Sequence, residues 1–154
     1  MLKLSKLCDY AGVIMAQIAR DPEQPHAAAE LSEQVGLPHP TVSKTLKLLQ
    51  RAGLLHSRRG AQGGYLLSRA AERIRVSDII TAIEGPVAMT RCSEYGDGQV
   101  CDIADTCHVA SNWQQVSHAI HQLLDSVTLA QLAQTTPLHL TPPRPIQLLA
   151  TDAH

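Results

Sequence analysis

Two short helices and a glycine-rich hairpin are predicted in close succession between residues 27 and 68, and this order limits the fold more than any other feature. The first helix covers residues 27–35 and ends at Gly36, the residue type favoured just beyond a helix. The second covers residues 41–52 and carries one apolar stripe with spacing i, i+3, i+4 and i+7. That stripe consists of Val42, Thr45, Leu46 and Leu49. The pattern predicts a helix-turn-helix.

The stretch after the second helix predicts a β-hairpin with a basic tip. Short strands at residues 54–57 and 65–68 flank the segment 58–64, which reads RRGAQGG. Glycine permits a positive φ and a close approach of the backbone, and arginine at such a tip fits a narrow minor groove. We therefore expect a fold that is mainly α-helical with a small β-hairpin, a winged helix-turn-helix.

Further helices are predicted on both sides of this unit. The first spans residues 5–20, and a short helix with Ser77 as its N-cap spans residues 76–84. A long helix over residues 109–127 has an apolar residue every three to four positions, which favours dimerisation through a partner helix. Residues 128–131 read TLAQ, the pattern of a capping box before a short last helix.

These patterns divide the chain into four parts. Residues 1–85 form the winged helix-turn-helix domain, residues 86–108 a cysteine-rich segment, residues 109–134 the dimerisation helix with a short terminal helix, and residues 135–154 a proline-containing tail expected to be disordered. No apolar run reaches the roughly 20 residues needed to span a bilayer, so we expect no membrane association and a cytoplasmic protein. Its cysteines should then be reduced.

The charge distribution indicates a nucleic-acid partner. Residues 1–75 contain eleven Lys or Arg and six Asp or Glu, whereas residues 76–154 contain two and eight, although the whole chain has a net charge of only −1. The basic half should bind double-stranded promoter DNA. Phosphate contacts are expected from Lys44, Lys47 and Arg51, base contacts from Thr41 and Ser43, and wing contacts from Arg58 and Arg59.

Three cysteines, Cys92, Cys101 and Cys107, lie within sixteen residues of polar sequence. Three converging thiolates suit an iron–sulfur cluster, of the 2Fe-2S or 4Fe-4S type, or a zinc ion, although the paired C-x2-C motifs of most zinc modules are absent. Catalysis by a cysteine needs only one thiol and a base, so no enzymatic activity is expected. Cys8 falls on the apolar face of the first helix and should be core. His108 is a less favoured fourth ligand, because it adjoins Cys107.

The assembled pattern resembles the Rrf2 family of winged-helix regulators, which includes the iron–sulfur regulator IscR and the nitric-oxide sensor NsrR. The resemblance covers residues 2 to about 134. It is carried by LKLS at residues 2–5, Asp9 and Tyr10, RRGAQGGYLL at residues 58–67, IITAIEG at residues 79–85, Arg91 and Cys92, Cys101, Cys107 and Trp113. The eight residues between the first two cysteines are most similar to the branch that regulates the SUF system of cluster assembly.

The resemblance implies a homodimer through residues 109–127 in which each chain holds one cluster on its three cysteines. Where relatives use a histidine as fourth ligand, the matching position here is Ala110. Where they use an aspartate from the partner's first helix, the matching residue is Asp9. The implied function is a redox-sensing repressor of cluster-assembly genes. A repressor that senses nitric oxide, a small iron–sulfur electron carrier and a zinc-stabilised DNA-binding protein remain alternatives.

Overall fold

Six α-helices and one antiparallel pair of strands make up the computed structural model, which describes residues 3–60, 63–90 and 107–138. A short 3-10 turn, Ala71–Arg73, precedes the fourth helix. The elements are α1 (Lys6–Arg20), α2 (Ala28–Val35), α3 (His39–Arg51), β1 (Leu55–Arg58), β2 (Gly64–Leu67), α4 (Val76–Glu84), α5 (Ala110–Asp125) and α6 (Leu129–Leu132). This confirms the expected winged helix-turn-helix. Within these ranges no helix combines the length and apolarity that a membrane span requires.

The core of the domain forms where α3 packs against α1, α2 and α4. All four residues of the predicted α3 stripe are fully buried, which confirms that prediction. Thr45 is the one polar member, and its hydroxyl donates to the Thr41 carbonyl over 2.9 Å. The polar group is therefore satisfied within its own helix and does not weaken the apolar cluster.

The start of α1 is held to the end of α4. Ser5 is the N-cap of α1, and its side chain accepts the Cys8 backbone N–H over 3.2 Å. The Ser5 N–H in turn donates to Glu84 Oε1 over 2.7 Å. This pair of contacts fixes the first turn of α1 against α4.

The hairpin is joined to the loop before α2 close to its tip. In the β1–β2 pair, Leu55 is opposite Leu67 and Arg58 is opposite Gly64. The backbones of His26 and Tyr65 exchange two hydrogen bonds of 3.0 and 2.9 Å, so the loop before α2 forms an isolated bridge to β2. The bridge thus holds β2 close to the point where the tip of the wing ends.

One predicted helix start and one predicted N-cap are corrected. Helix α3 begins at His39, two residues before the predicted start, because Pro40 fits the first turn, where its missing N–H costs nothing. The prediction of Ser77 as the N-cap of α4 is wrong. The N-cap is Arg75, whose N–H donates to the Asp78 carboxylate over 2.9 Å, so Ser77 lies inside the helix.

The predicted long helix is present as α5, and its apolar seam has two parts. Val109, Trp113 and Val116 at the N-terminal end are exposed, whereas Val127 just beyond the helix is buried. The predicted capping box at Thr128 is confirmed by its exchange of hydrogen bonds with Gln131, of 3.1 and 2.9 Å. It opens α6, which packs on α1.

Gly64 should be needed for the close approach of β2 to the His26 backbone. A Cβ at this position would lie 2.6–2.8 Å from backbone atoms of His26, so either the bridge or the strand would have to move. We expect Gly64→Ala to lower the free energy of unfolding by about 1–3 kcal/mol. Urea denaturation at one fixed protein concentration measures it.

Gly12→Ala in α1 is the matched control. A Cβ at Gly12 meets nothing within 4 Å, so the same substitution should raise the free energy of unfolding by about 0.5–1 kcal/mol through the helix propensity of alanine. Equal stability of Gly64→Ala and the unmodified protein would contradict the role given to the bridge.

Candidate DNA-binding surface and cysteine site

The outer face of α3 is positioned by the burial of its opposite face. Lys44, Lys47 and Arg51 are exposed, and Thr41 and Ser43 near the start of the helix are half-buried. A shallow groove on this face is lined by Pro40, Ser43, Lys44, Lys47, Leu48 and Arg51. The groove therefore brings together Ser43, Lys44, Lys47 and Arg51 of the α3 residues selected from the sequence, whereas Thr41 is not among its lining residues.

The positive charges of this surface are not neutralised by the described parts of the chain. Among residues 3–60, 63–90 and 107–138 the one ion pair joins Arg69 to Asp78 over 2.7 Å, and neither residue belongs to α3. Lys44, Lys47 and Arg51 have no carboxylate partner there. Their charges are available to an anionic ligand such as a phosphate backbone.

The wing adds two further cations. Arg58 is the last residue of β1 and Arg59 follows it, and both side chains are exposed. The Gln50 amide, in the last turn of α3, donates to Ser57 Oγ over 3.0 Å. This link between the helix and the wing was missed from the sequence, because no spacing rule relates a helix position to a strand seven residues later.

The cysteine site lies only partly within the described residues. Cys92 and Cys101 are outside them, and Cys107 is a half-buried free cysteine three residues before α5. His108 is exposed. The described ranges contain no group of three or more side chains able to hold a metal ion. As a donor set, the three thiolates suit iron–sulfur or zinc coordination.

Cys8 is buried, as predicted, and chemically unlike a ligand. Burial first, and then the nearby carboxylates of Glu84 and Asp9, together raise the pKa of its thiol to about 11. A metal ligand must be deprotonated, so this environment opposes coordination by Cys8.

Two exposed apolar surfaces are also present. The first, which we call the α1 groove, is lined by Leu4, Cys8, Asp9, Gly12, Val13, Ala16, Val76, Ile79, Ile80 and Leu132. Leu4 and Val13 are 49% and 45% exposed in it. The second is the N-terminal face of α5, with Trp113 40% exposed. Asp9 stands in the α1 groove, and its side chain is exposed.

A helix-turn-helix with a free basic face, followed by a basic hairpin, defines a winged-helix DNA-binding protein. The pattern of the Rrf2 family, described as an iron-dependent transcriptional regulator, matches residues 4–135. The chain belongs to this family, whose members are transcriptional regulators.

Similar proteins carry two different names. The transcriptional regulator IscR of Serratia proteamaculans is 33% identical over 132 residues, covering 85% of this chain and 79% of that protein. The solved structure of T. potens IscR is 32% identical with a TM-score of 0.64, covering 85% of each chain. CymR, the global cysteine regulator of B. subtilis, is 30% identical with a TM-score of 0.70, covering 89% of this chain and all of that one. Transcriptional regulation is thus shared by these relatives, and one of them is named as a regulator of cysteine.

Cys8 should be nearly inert in the folded protein. With its pKa near 11 instead of 9.0, the reactive thiolate is about 100-fold rarer at pH 8 than in the unfolded chain. We expect alkylation of Cys8 by iodoacetamide at pH 8 to be slower by at least that factor in buffer than in urea. Mass spectrometry of the peptide containing Cys8 measures both rates, and similar rates would contradict its burial as a neutral thiol.

Proposed function

We propose that this protein is a dimeric transcriptional repressor of iron–sulfur cluster assembly genes, of the SUF type, that senses cluster status through its own cluster. The observation that carries the proposal is the position of Cys107. It is three residues before α5, in a chain whose other half presents a basic winged helix. A ligand held by Cys107 would act directly on the start of α5. The similarity to IscR supports the same proposal.

DNA binding is assigned to α3 and the wing. Lys44, Lys47 and Arg51 are exposed cations and would contact phosphates, while Thr41 and Ser43 at the start of α3 would reach base edges. The wing would place Arg58 against the backbone and Arg59 in the minor groove. These assignments follow from the exposure of the side chains and from the absence of carboxylate partners within the described ranges.

Dimerisation is assigned to the two exposed apolar surfaces. Val109, Trp113 and Val116 would be withdrawn from water by a second copy of α5, and the α1 groove offers a second apolar surface. Contiguous exposed apolar patches of this kind mark interaction sites. A two-fold dimer would present two α3 helices to adjacent major grooves.

The cluster ligands would be Cys92, Cys101 and Cys107 of one chain, with Asp9 of the partner subunit as the fourth. Asp9 fits this role because it is exposed in the α1 groove, where a partner is expected to approach. His108 is the weaker candidate, since adjacent residues direct their side chains differently. A bound cluster would supply a centre sensitive to oxidation and to diatomic gases, and an oxygen donor such as Asp9 binds iron more weakly than a thiolate does.

Single substitutions should distinguish a groove contact of the wing from a phosphate contact of α3. Arg59→Ala should weaken binding to a selected operator by about 1–3 kcal/mol, because a specific groove contact is lost. Lys47→Ala should lower the dependence of log K on log salt concentration by about 0.9, the contribution of one phosphate contact in B-DNA. Fluorescence anisotropy titrations at several salt concentrations measure both quantities.

Lys6→Ala is the control for these variants. Lys6 is exposed on α1 and lies outside the proposed DNA-binding surface, so its loss should leave the salt dependence unchanged. If Lys47→Ala and Lys6→Ala have the same salt dependence as the unmodified protein, the phosphate contact assigned to α3 is wrong.

Protein purified without oxygen should be brown and contain iron and sulfide in stoichiometric amounts. Cys107→Ser should lose the visible absorption, because one of three thiolates is removed. Cys8→Ala should retain it, because a buried thiol of raised pKa is not a ligand. Absorption spectra with iron and sulfide assays on the same samples provide the measurement, and Asp9→Ala should lose the absorption faster in air than the unmodified protein.

The outcomes distinguish the candidate functions. Colourless protein that contains zinc would replace the cluster sensor with a zinc-stabilised DNA-binding protein. Brown protein that releases DNA with nitric oxide, and whose target promoters do not control cluster-assembly genes, would favour a nitric-oxide sensor. Brown protein that binds no promoter DNA at low salt would favour the electron carrier.

A further inference from the structure

Helix α5 is attached to α4, and to the segment just after α4, through two hydrogen bonds that involve buried serines. Ser77 on α4 donates its hydroxyl hydrogen to Asp125 Oδ1 at the end of α5 over 2.7 Å. Eight residues earlier on α5, Ser117 Oγ accepts the backbone N–H of Met89 over 3.0 Å. Ser77 and Ser117 are only 2% and 1% exposed. Water therefore cannot replace either serine as the partner without a rearrangement.

The burial of Ser117 is unusual for its helix. It is the one residue of α5 that is buried, although α5 is a 16-residue helix with an apolar seam. Buried helix positions are normally apolar, since a small hydroxyl adds little hydrophobic stabilisation. What serine offers here is a short side chain and an acceptor for the Met89 N–H. A hydrogen bond, which is directional, thus occupies a helix position where an apolar side chain is usual.

The two contacts are far enough apart to fix a direction. Eight residues of α-helix span about 12 Å at 1.5 Å per residue. One contact would leave α5 free to pivot about it, whereas two contacts separated along the axis hold the axis in place. Near Asp125 the backbone reinforces the attachment, because the Val76 N–H donates to the Val127 carbonyl over 2.9 Å and the Leu129 N–H donates to the Ile74 carbonyl over 2.8 Å.

Helix α4 connects this attachment to the DNA-binding surface. It packs against both α5 and α3. The direction of α5 relative to α4 therefore also determines its direction relative to α3. In a two-fold dimer formed through α5, this angle determines how far apart, and at what rotation, the two α3 helices meet the duplex.

We propose that the hydrogen bonds Ser77–Asp125 and Ser117–Met89 set the half-site spacing that the dimer recognises on DNA. The inference rests on the dimer of the proposed function. Ser77, Ser117 and Asp125 are positioning residues, and none lies on the DNA-binding surface. Ser77 and Asp125 join α5 to α4, and Ser117 joins α5 to Met89 in the segment just after α4.

The test compares binding to operators of different spacing. A duplex selected with the unmodified protein is compared with duplexes in which one or two base pairs are inserted between the same half-sites, each insertion rotating one half-site by about 35°. The spacing preference is the ratio of the dissociation constants. We expect Ser77→Ala, Ser117→Ala and Asp125→Ala each to lower this ratio by about two- to tenfold, the effect of one lost hydrogen bond.

Two further variants separate positioning from simple loss of stability. Asp125→Asn retains an acceptor at Oδ1, so its spacing preference should stay near that of the unmodified protein. Ser126→Ala removes a neighbouring exposed serine whose hydroxyl donates within α5, to the Leu123 carbonyl, and should also leave the preference unchanged. Asp125 is exposed, so its variants should fold even if the buried serine variants do not. Binding to an isolated half-site should be the same in all of them.

The outcomes separate this inference from the proposed function. A spacing preference in the unmodified protein that survives Asp125→Ala and Ser77→Ala overturns the inference and leaves the dimer in place. An unmodified protein that sediments as a monomer on DNA, or binds all spacings equally, overturns the proposed dimer and this inference together.

Discussion

The burial of one face of α3 is the constraint on which the rest of the structure depends. Val42, Leu46 and Leu49 are fully buried, and each buried aliphatic side chain contributes about 1.5–3 kcal/mol. A rotation of α3 about its own axis would expose them and is therefore strongly opposed. Because residues three and four apart share a helix face, the same packing directs Lys44 and Lys47 to the opposite side. The basic surface is a consequence of the core.

Local signals in the sequence predicted most of the elements, because local physics controls them. Gly36 ends α2 with a φ of +67°, and Thr128 caps α6 through its own neighbours. The cap of α4 was not predictable in this way. Ser77 has the right residue type for an N-cap, but the Asp78 carboxylate accepts the Arg75 N–H and the Ser77 hydroxyl is used by Asp125, 48 residues away. A contact between residues so far apart in the chain cannot be predicted from the spacing of neighbouring residues.

The same limit applies to α5 and to the cysteine site. The apolar period along residues 109–127 predicts a helix but not which surface covers it. In the structure the seam divides, since Val127 is buried in its own chain while Trp113 is exposed. For the cysteines, the sequence identifies the donor atoms by their chemistry, but their mutual arrangement depends on the path of the chain between them. Of the three, the described residues include only Cys107.

The kind of contact that holds α5 bears on how a signal could reach the DNA. Apolar packing is non-directional, so a helix held by it alone can shift slightly at little cost. A hydrogen bond weakens steeply with distance and angle, so the contacts at Ser77 and Ser117 favour one direction of the helix. A change at Cys107, just before α5, would then act on a helix whose direction relative to the winged helix is fixed. The C-terminal half of the chain is acidic and would be repelled by phosphates. This repulsion would keep α5 away from the duplex while the basic winged helix binds the DNA.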